Sequence, residues 1–99
     1  MRESEFIVLA DRALAEIERR LDAEGGDIDC APAGDGVLEI ELADGGKIIV
    51  NRHAAAQEIW LAARSGGAHF RWDGTAWRNT RDGRELMDAL FDLIGGKGD

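Results

Sequence analysis

Leu38-Glu39-Ile40-Glu41-Leu42-Ala43-Asp44-Gly45-Gly46-Lys47-Ile48-Ile49-Val50-Asn51-Arg52 is the stretch that decides the fold. Leu38, Ile40 and Leu42 alternate with Glu39 and Glu41, the period-two pattern of a strand with one buried face. Asp44-Gly45-Gly46 supplies residues that tolerate positive φ, and the β-rich run Lys47 to Arg52 follows. Two such runs around such a turn read as a hairpin. The same punctuation recurs downstream, where Ser65-Gly66-Gly67 and Asp73-Gly74 separate the runs Glu58 to Ala63, His69 to Asp73 and Thr75 to Thr80. Upstream, Ile28 and Cys30 alternate with Asp27 and Asp29. The whole predicts an antiparallel meander of five or six strands, with the only proline, Pro32, in the loop between the first two.

Outside the meander the apolar spacing changes from two to three and four. Phe6, Leu9, Ala10, Ala13, Leu14, Ile17 and Leu21 mark one buried helix face, which places a helix at about residues 4 to 24 with Ser4 as its N-cap and Gly25-Gly26 as its stop. After Asp82-Gly83 the helical spacing returns, with Leu86, Leu90, Leu93 and Ile94 on one face, Met87 and Phe91 flanking it, and Gly95-Gly96 at the end. A helix at each end of one antiparallel sheet packs most simply with both helices on the same sheet face. The expected fold class is therefore α+β, a two-layer α-β sandwich formed by a single domain over residues 1–99. The opposite face is then open, and it should carry Asn51, Trp60 and Ala62 if Val50, Ile59 and Leu61 point inward.

The net charge of −8 is unevenly spread. Residues 1–45 hold thirteen Asp and Glu against four Arg, whereas residues 46–99 hold eight Lys and Arg against seven acids. An acid-rich surface repels phosphate, so nucleic-acid and anionic-membrane binding are disfavoured while cations and basic proteins are favoured. No apolar run approaches the ~18 to 20 residues of a membrane span. The N-terminal residues have neither the apolar stretch of a secretion signal nor the Arg-rich, acid-poor character of a transit peptide, so a cytoplasmic bacterial protein is expected. The single cysteine, Cys30, fits a reducing compartment and reads as a buried strand residue rather than a nucleophile.

On the first helix Asp11, Glu18 and Asp22 fall within about 40° of one another, roughly 120° from the centre of the apolar stripe. They form an exposed acidic line. Glu16 has Arg12, Arg19 and Arg20 at neighbour spacings and reads as a salt-bridged residue, whereas Asp11 and Glu18 have no base three or four positions away and Asp22 has only Arg19. Glu18 and Asp22 can share one ion; Asp11, roughly 10 Å further along, cannot join them. Hard oxygen ligands without thiolate or imidazole suit iron, manganese, calcium or magnesium rather than a structural zinc. His53 and His69 stand in no metal-ligand or triad spacing with Cys30 or a serine, and no phosphate-cradling glycine motif is present, so conventional catalysis is not expected.

Asn51-Arg52, then Gln57-Glu58-Ile59-Trp60-Leu61-Ala62, Gly66-Gly67, His69-Phe70, Trp77 and Asp82-Gly83 together resemble the frataxin family. The likeness extends over nearly the whole chain. It includes Ser4-Glu5-Phe6, Leu9-Ala10-Asp11, Asp27-Ile28-Asp29-Cys30 and Gly36-Val37-Leu38, and the short N-terminus and Gly-Gly-His-Phe turn are similar to the bacterial branch. The resemblance implies an acidic ridge along the first helix and the edge of the first strand. Ferrous or ferric iron would bind there weakly and reversibly, with Asp11, Glu18, Asp22, Asp27 and Asp29 as the ligating candidates and Glu39 and Glu41 as a continuation on the next strand. It further implies docking on the cysteine desulfurase and the scaffold protein of iron–sulfur cluster assembly, with Glu18, Asp22, Asn51 and Trp60 as contact residues. Arg19 and Arg20 depart from the bacterial pattern and are expected to weaken the iron site. A monomer is expected without excess iron, because neither helix has a second apolar stripe. Two other functions fit the residues alone: an acidic adaptor for a basic protein surface with no physiological metal, or a structural protein with an incidental acidic face.

Overall fold

Eight elements follow the chain in the order helix, meander, helix: α1 (Glu3–Glu24), β1 (Asp29–Gly34), β2 (Val37–Glu41), β3 (Lys47–His53), β4 (Glu58–Ala63), β5 (Gly66–Trp72), β6 (Trp77–Asn79) and α2 (Leu86–Gly95). The computed structural model describes residues 1–24 and 27–95. The expected helix stop at Gly25-Gly26 and the expected terminator Gly96 lie outside the described residues.

The six strands pair in sequence order, every pair antiparallel. Register splits the sheet into two faces because successive side chains alternate. One set of rows, Cys30–Ile40–Ile48, Leu38–Val50–Leu61–Ala68 and Ile59–Phe70, faces the helices and supplies most of the sheet's share of the core. Phe6, Ala10, Ala13, Leu14, Ile17 and Leu21 of α1 and Leu86 and Leu90 of α2 close the core from above. The two-layer α+β sandwich is thus present as expected, with α1 lying against β1 and β3 and α2 against β6. Phe6 meets Trp77 edge to face at 5.9 Å, a geometry worth about 0.5–1.5 kcal/mol beyond area burial. The Arg20 guanidinium lies 5.9 Å from the centre of the Phe91 ring, joining the two helices.

Several boundaries differ from expectation for local reasons. Arg2, not Ser4, caps α1: its carbonyl accepts from Phe6 N–H, and Glu5 reaches back to accept from the Arg2 N–H at 3.1 Å. That is the reciprocal half of a capping box. Pro32 belongs to β1, opposite Leu38, rather than to a loop; an edge strand tolerates its missing donor, and the register shifts immediately after it. Gly66 and Gly67 are strand residues opposite Ala63 and Ala62, which confines that turn to Arg64 and Ser65. Leu93, expected in the core, is 36% exposed at the end of α2, where only Leu86 and Leu90 are fully buried. Glu85 starts α2, its carboxylate accepting from the N–H groups of Met87 and Asp88.

Replacing a buried ring by a methyl group leaves a cavity that a close-packed core fills only in part. Phe6→Ala is expected to cost about 3–5 kcal/mol, read as a fall in the midpoint of urea unfolding.

Candidate functional site

The acidic line on α1 is charged by subtraction. Glu16 binds both neighbouring arginines, at 2.6 Å to Arg19 and 2.8 Å to Arg20, and the Arg19 and then Arg20 hydrogen bonds hold its carboxyl below the ordinary range. The two bases expected to weaken the line are therefore turned to Glu16. Among the described residues no basic side chain lies within ion-pair distance of Glu18, Asp22, Asp27 or Asp29. Beneath them sits Cys30, whose thiol is pushed up to about 11 by burial first and then by the charges of Glu18 and Asp22. The thiol thus registers the field of the two carboxylates from inside the sheet.

Asp11 corrects the sequence reading. Helical spacing left it unpaired, yet Arg52 Nη1 donates to it at 2.7 Å from 41 residues away, while Arg52 Nη2 donates to Asp35 at 2.8 Å. Arg52 follows Ile48 and Val50 on the helix-facing side of β3, so its guanidinium emerges between α1 and the β1–β2 turn. It is only 14% exposed, and it bridges the two elements. Gly36, at φ 74°, makes room: a Cβ there would stand 2.3 Å from Arg52 Nη1.

Asp29 lies on β1, the edge strand that packs beside α1, as expected. Its register partner is Glu41, which in turn faces Lys47, so the row belongs to the open face of the sheet, away from α1. Glu39, one row on, pairs with Lys47 at 3.1 Å. Asp27 precedes β1 and is exposed. The acids therefore divide between the helix (Asp11, Glu18, Asp22) and the open face of the sheet (Asp29, Glu39, Glu41). Among the described residues no three His, Cys, Asp or Glu side chains converge as a metal-ligand group. Any cation site is open, with one or two carboxylates and water.

The open face also holds Asn51 and Trp60, directly opposite each other on β3 and β4, where the alternation places them. Trp60 is half-buried rather than exposed. Its indole is sandwiched between His53, at 3.8 Å and 11°, and His69, at 4.5 Å and 9°. Trp60 Nε1 donates to Glu58 at 2.7 Å; Arg71 Nε donates to the other Glu58 oxygen at 2.8 Å, and His69 Nδ1 is 3.4 Å away. Glu58 is the buried charged residue of the described fold. Burial alone would raise its carboxyl, but the Trp60 and Arg71 hydrogen bonds and the nearby Arg71 and His69 charges prevail and hold it below the ordinary range. Sequence reading gave Glu58 no site role and set His53 and His69 aside for want of a metal-ligand or triad spacing. The available signal was parity, since all three share the outward phase of Asn51 and Trp60.

Two outcomes follow. Arg52→Met removes both ion pairs, and because Asp11 and Asp35 are exposed the loss is expected to be about 1–2 kcal/mol in urea unfolding, with an added negative charge on the α1 line. Glu58→Gln tests the buried carboxylate. A group whose folded carboxyl is depressed stabilises above its unfolded value and loses that stabilisation as pH falls through the folded one. The stability gap between wild type and Glu58→Gln should thus be widest near neutrality, at about 1–3 kcal/mol, and narrow below about pH 4.

Comparison with known proteins agrees with this architecture. A family model described as the frataxin-like domain matches residues 1–98. An iron–sulfur cluster assembly protein CyaY from Dechloromonas aromatica is 59% identical over 93 residues, covering 94% of this chain and 89% of the relative. A protein of the same name from Neisseria meningitidis is 50% identical over 94 residues, covering 95% and 87%. The solved structure of frataxin from Psychromonas ingrahamii superposes with a TM-score of 0.89 at 32% identity, covering 95% of this chain and 89% of that one. With residues 1–98 matched by the family model and the meander, helices and register all in place, the chain belongs to the frataxin-like family.

Proposed function

We propose that the protein is a non-enzymatic iron-binding component of iron–sulfur cluster assembly, acting as iron donor or as regulator of the cysteine desulfurase. The carrying observation is the uncompensated pair Glu18 and Asp22 on α1, from which Arg19 and Arg20 are drawn away by Glu16. Carboxylates one helical turn apart repel by roughly 0.2–0.5 kcal/mol, and a cation between them relieves this. Ferrous or ferric iron is the cargo and binds weakly, because an open pair of hard oxygen ligands leaves most of the coordination sphere to water.

Asp11 contributes less than its spacing implied, since Arg52 competes for it. Asp29 belongs with Glu39 and Glu41 to a separate patch on the sheet, and Asp27 is exposed just before β1. A desulfurase surface lined with arginine or lysine fits the α1 line by charge. The scaffold protein fits the open face of the sheet, where Asn51 and Trp60 lie side by side. What supports the assembly role is the name carried by relatives half or more identical in sequence. The adaptor reading, without metal, keeps the protein contact and drops the cation.

Ferrous iron or calcium should raise the melting temperature, by the equivalent of about 2.7 kcal/mol at a hundredfold excess over Kd if the unfolded chain does not bind. Amide shifts should centre on Glu18 and Asp22, and the double variant Glu18→Gln, Asp22→Asn should abolish both effects. Cys30 supplies an independent readout. Neutralising those carboxylates, by substitution or by a bound cation, lowers the thiol's pKa and should speed iodoacetamide alkylation severalfold at fixed pH. A flat thermal response together with unchanged alkylation would remove the cation site, and loss of desulfurase binding alone in the double variant would favour the adaptor.

A further inference from the structure

The two imidazoles that sandwich Trp60 face opposite kinds of group. His69 Nδ1 lies 3.4 Å from the Glu58 carboxylate, within ion-pair distance of an acceptor. His53 Nδ1 instead accepts the N–H of Ala56 at 3.3 Å, so that nitrogen carries a lone pair and the ring is uncharged. Ala56 lies in the four-residue β3–β4 turn, residues 54–57, which closes with Gln57 N–H donating to Ala54 O at 3.1 Å and Gln57 at φ 54°. A positive φ at a residue with a side chain is a conformation that its surroundings must hold in place. One ring therefore covers a face of the indole and fastens the turn.

We propose that His53 is a proton-sensitive latch on the β3–β4 turn: uncharged, it caps Ala56 N–H and covers one face of Trp60, and protonated, it releases both. The added proton would sit on Nδ1, directly against the Ala56 N–H, so the imidazolium has to turn away. Among the described residues no carboxylate lies within ion-pair distance of His53. Glu58 stands directly across from His53 in the ladder, but its Oε1 is engaged by Trp60 and His69 and its Oε2 by Arg71. Further along that row Arg71 on β5 and Arg78 on β6 are cationic, Arg78 is paired with Asp73, and Glu85 lies beyond, joined to Arg78 by an isolated β-bridge; on the other side of β3, Asp35 in the β1–β2 turn is paired with Arg52. Attraction of a cation to the indole face favours staying, but the turn N–H and the arginines of that row oppose it. Histidine is the side chain whose unperturbed charge change falls within the physiological pH range, which makes it the residue type for such a latch. Its meaning for docking rests on the role proposed above for Trp60; the latch itself does not.

The test needs neither metal nor partner. In the full chain, ring resonances of His53, the Ala56 amide and Trp60 Nε1–H are followed by NMR from pH 8 to 5, with hydrogen exchange corrected for its intrinsic pH dependence. The expected result is that Ala56 and His53 titrate with one midpoint and that Ala56 protection falls roughly tenfold at the acid end. His53→Asn keeps an acceptor oxygen that does not titrate, so its Ala56 protection should stay flat, while His69→Gln should retain the wild-type pH response. Equal Ala56 protection at pH 5 and 8 in wild type overturns the latch. So does a response that survives His53→Asn or disappears in His69→Gln.

Discussion

One-sided burial of a sheet whose strands pair in sequence order is the constraint from which the rest of the molecule follows. Because strand side chains alternate, assigning Leu38, Ile40, Ile48, Val50, Ile59, Leu61 and Phe70 to the core leaves no freedom for their neighbours. Asn51, Trp60, His69 and Glu58 must lie on the other face, and a slip of one residue would bury a row of charges. The helices complete the layer that the apolar rows begin. Each helix offers a single buried stripe, so the opposite side of α1 is free to carry charge with no packing role.

That freedom is used unevenly along α1. Near its start, Arg52 reaches up from the helix side of β3 and ties Asp11 to Asp35 across the β1–β2 turn. One turn beyond the middle, Glu16 captures Arg19 and Arg20, which strips Glu18 and Asp22 of the bases nearest in sequence. The same count of acids and bases could have yielded a neutral helix surface. What concentrates the field is the choice of pairings; the Cys30 thiol, raised first by burial, is raised further by Glu18 and Asp22.

Much of this architecture was legible because it rests on periodicity, which a sequence carries openly. Alternation in Leu38 to Arg52 and the three-and-four spacing from Phe6 to Leu21 fix two layers, and the parity of Val50 and Leu61 places Asn51 and Trp60 outward. What escaped reading depends on separation in the chain or on local competition. The Asp11–Arg52 pair spans 41 residues, beyond any helical spacing rule. Ser4 lost the cap to Arg2 because Glu5 could close the reciprocal bond. Pro32 entered a strand because β1 is an edge, where an absent donor costs nothing in the ladder. Asp29, expected on the first strand as an extension of the helical line, is on β1, but its register with Glu41 turns it to the open face. The stack around Trp60 needed the register of three strands at once, and a buried Glu58 is intelligible only after Arg71, Trp60 and His69 are seen to converge on it.

The two surfaces also differ in how their charge is held. On the open face every anionic oxygen of Glu58 is engaged, and the indole is fixed by a ring on each side, so the groups there are preorganised and their ordering entropy is spent on folding. On α1, Glu18 and Asp22 remain unsatisfied in charge, a small standing cost to the helix that a cation or a basic partner removes. Around Trp60 an added ion gains little, because both Glu58 oxygens are engaged. A surface of the second kind gains from any cation that can reach it, with little selectivity, because no enclosing geometry sorts one hard ion from another. On the role proposed above, selectivity for a metal would then come from what is available and from a partner docked beside it, so that protein contact and cargo binding on α1 would be aspects of a single electrostatic surface.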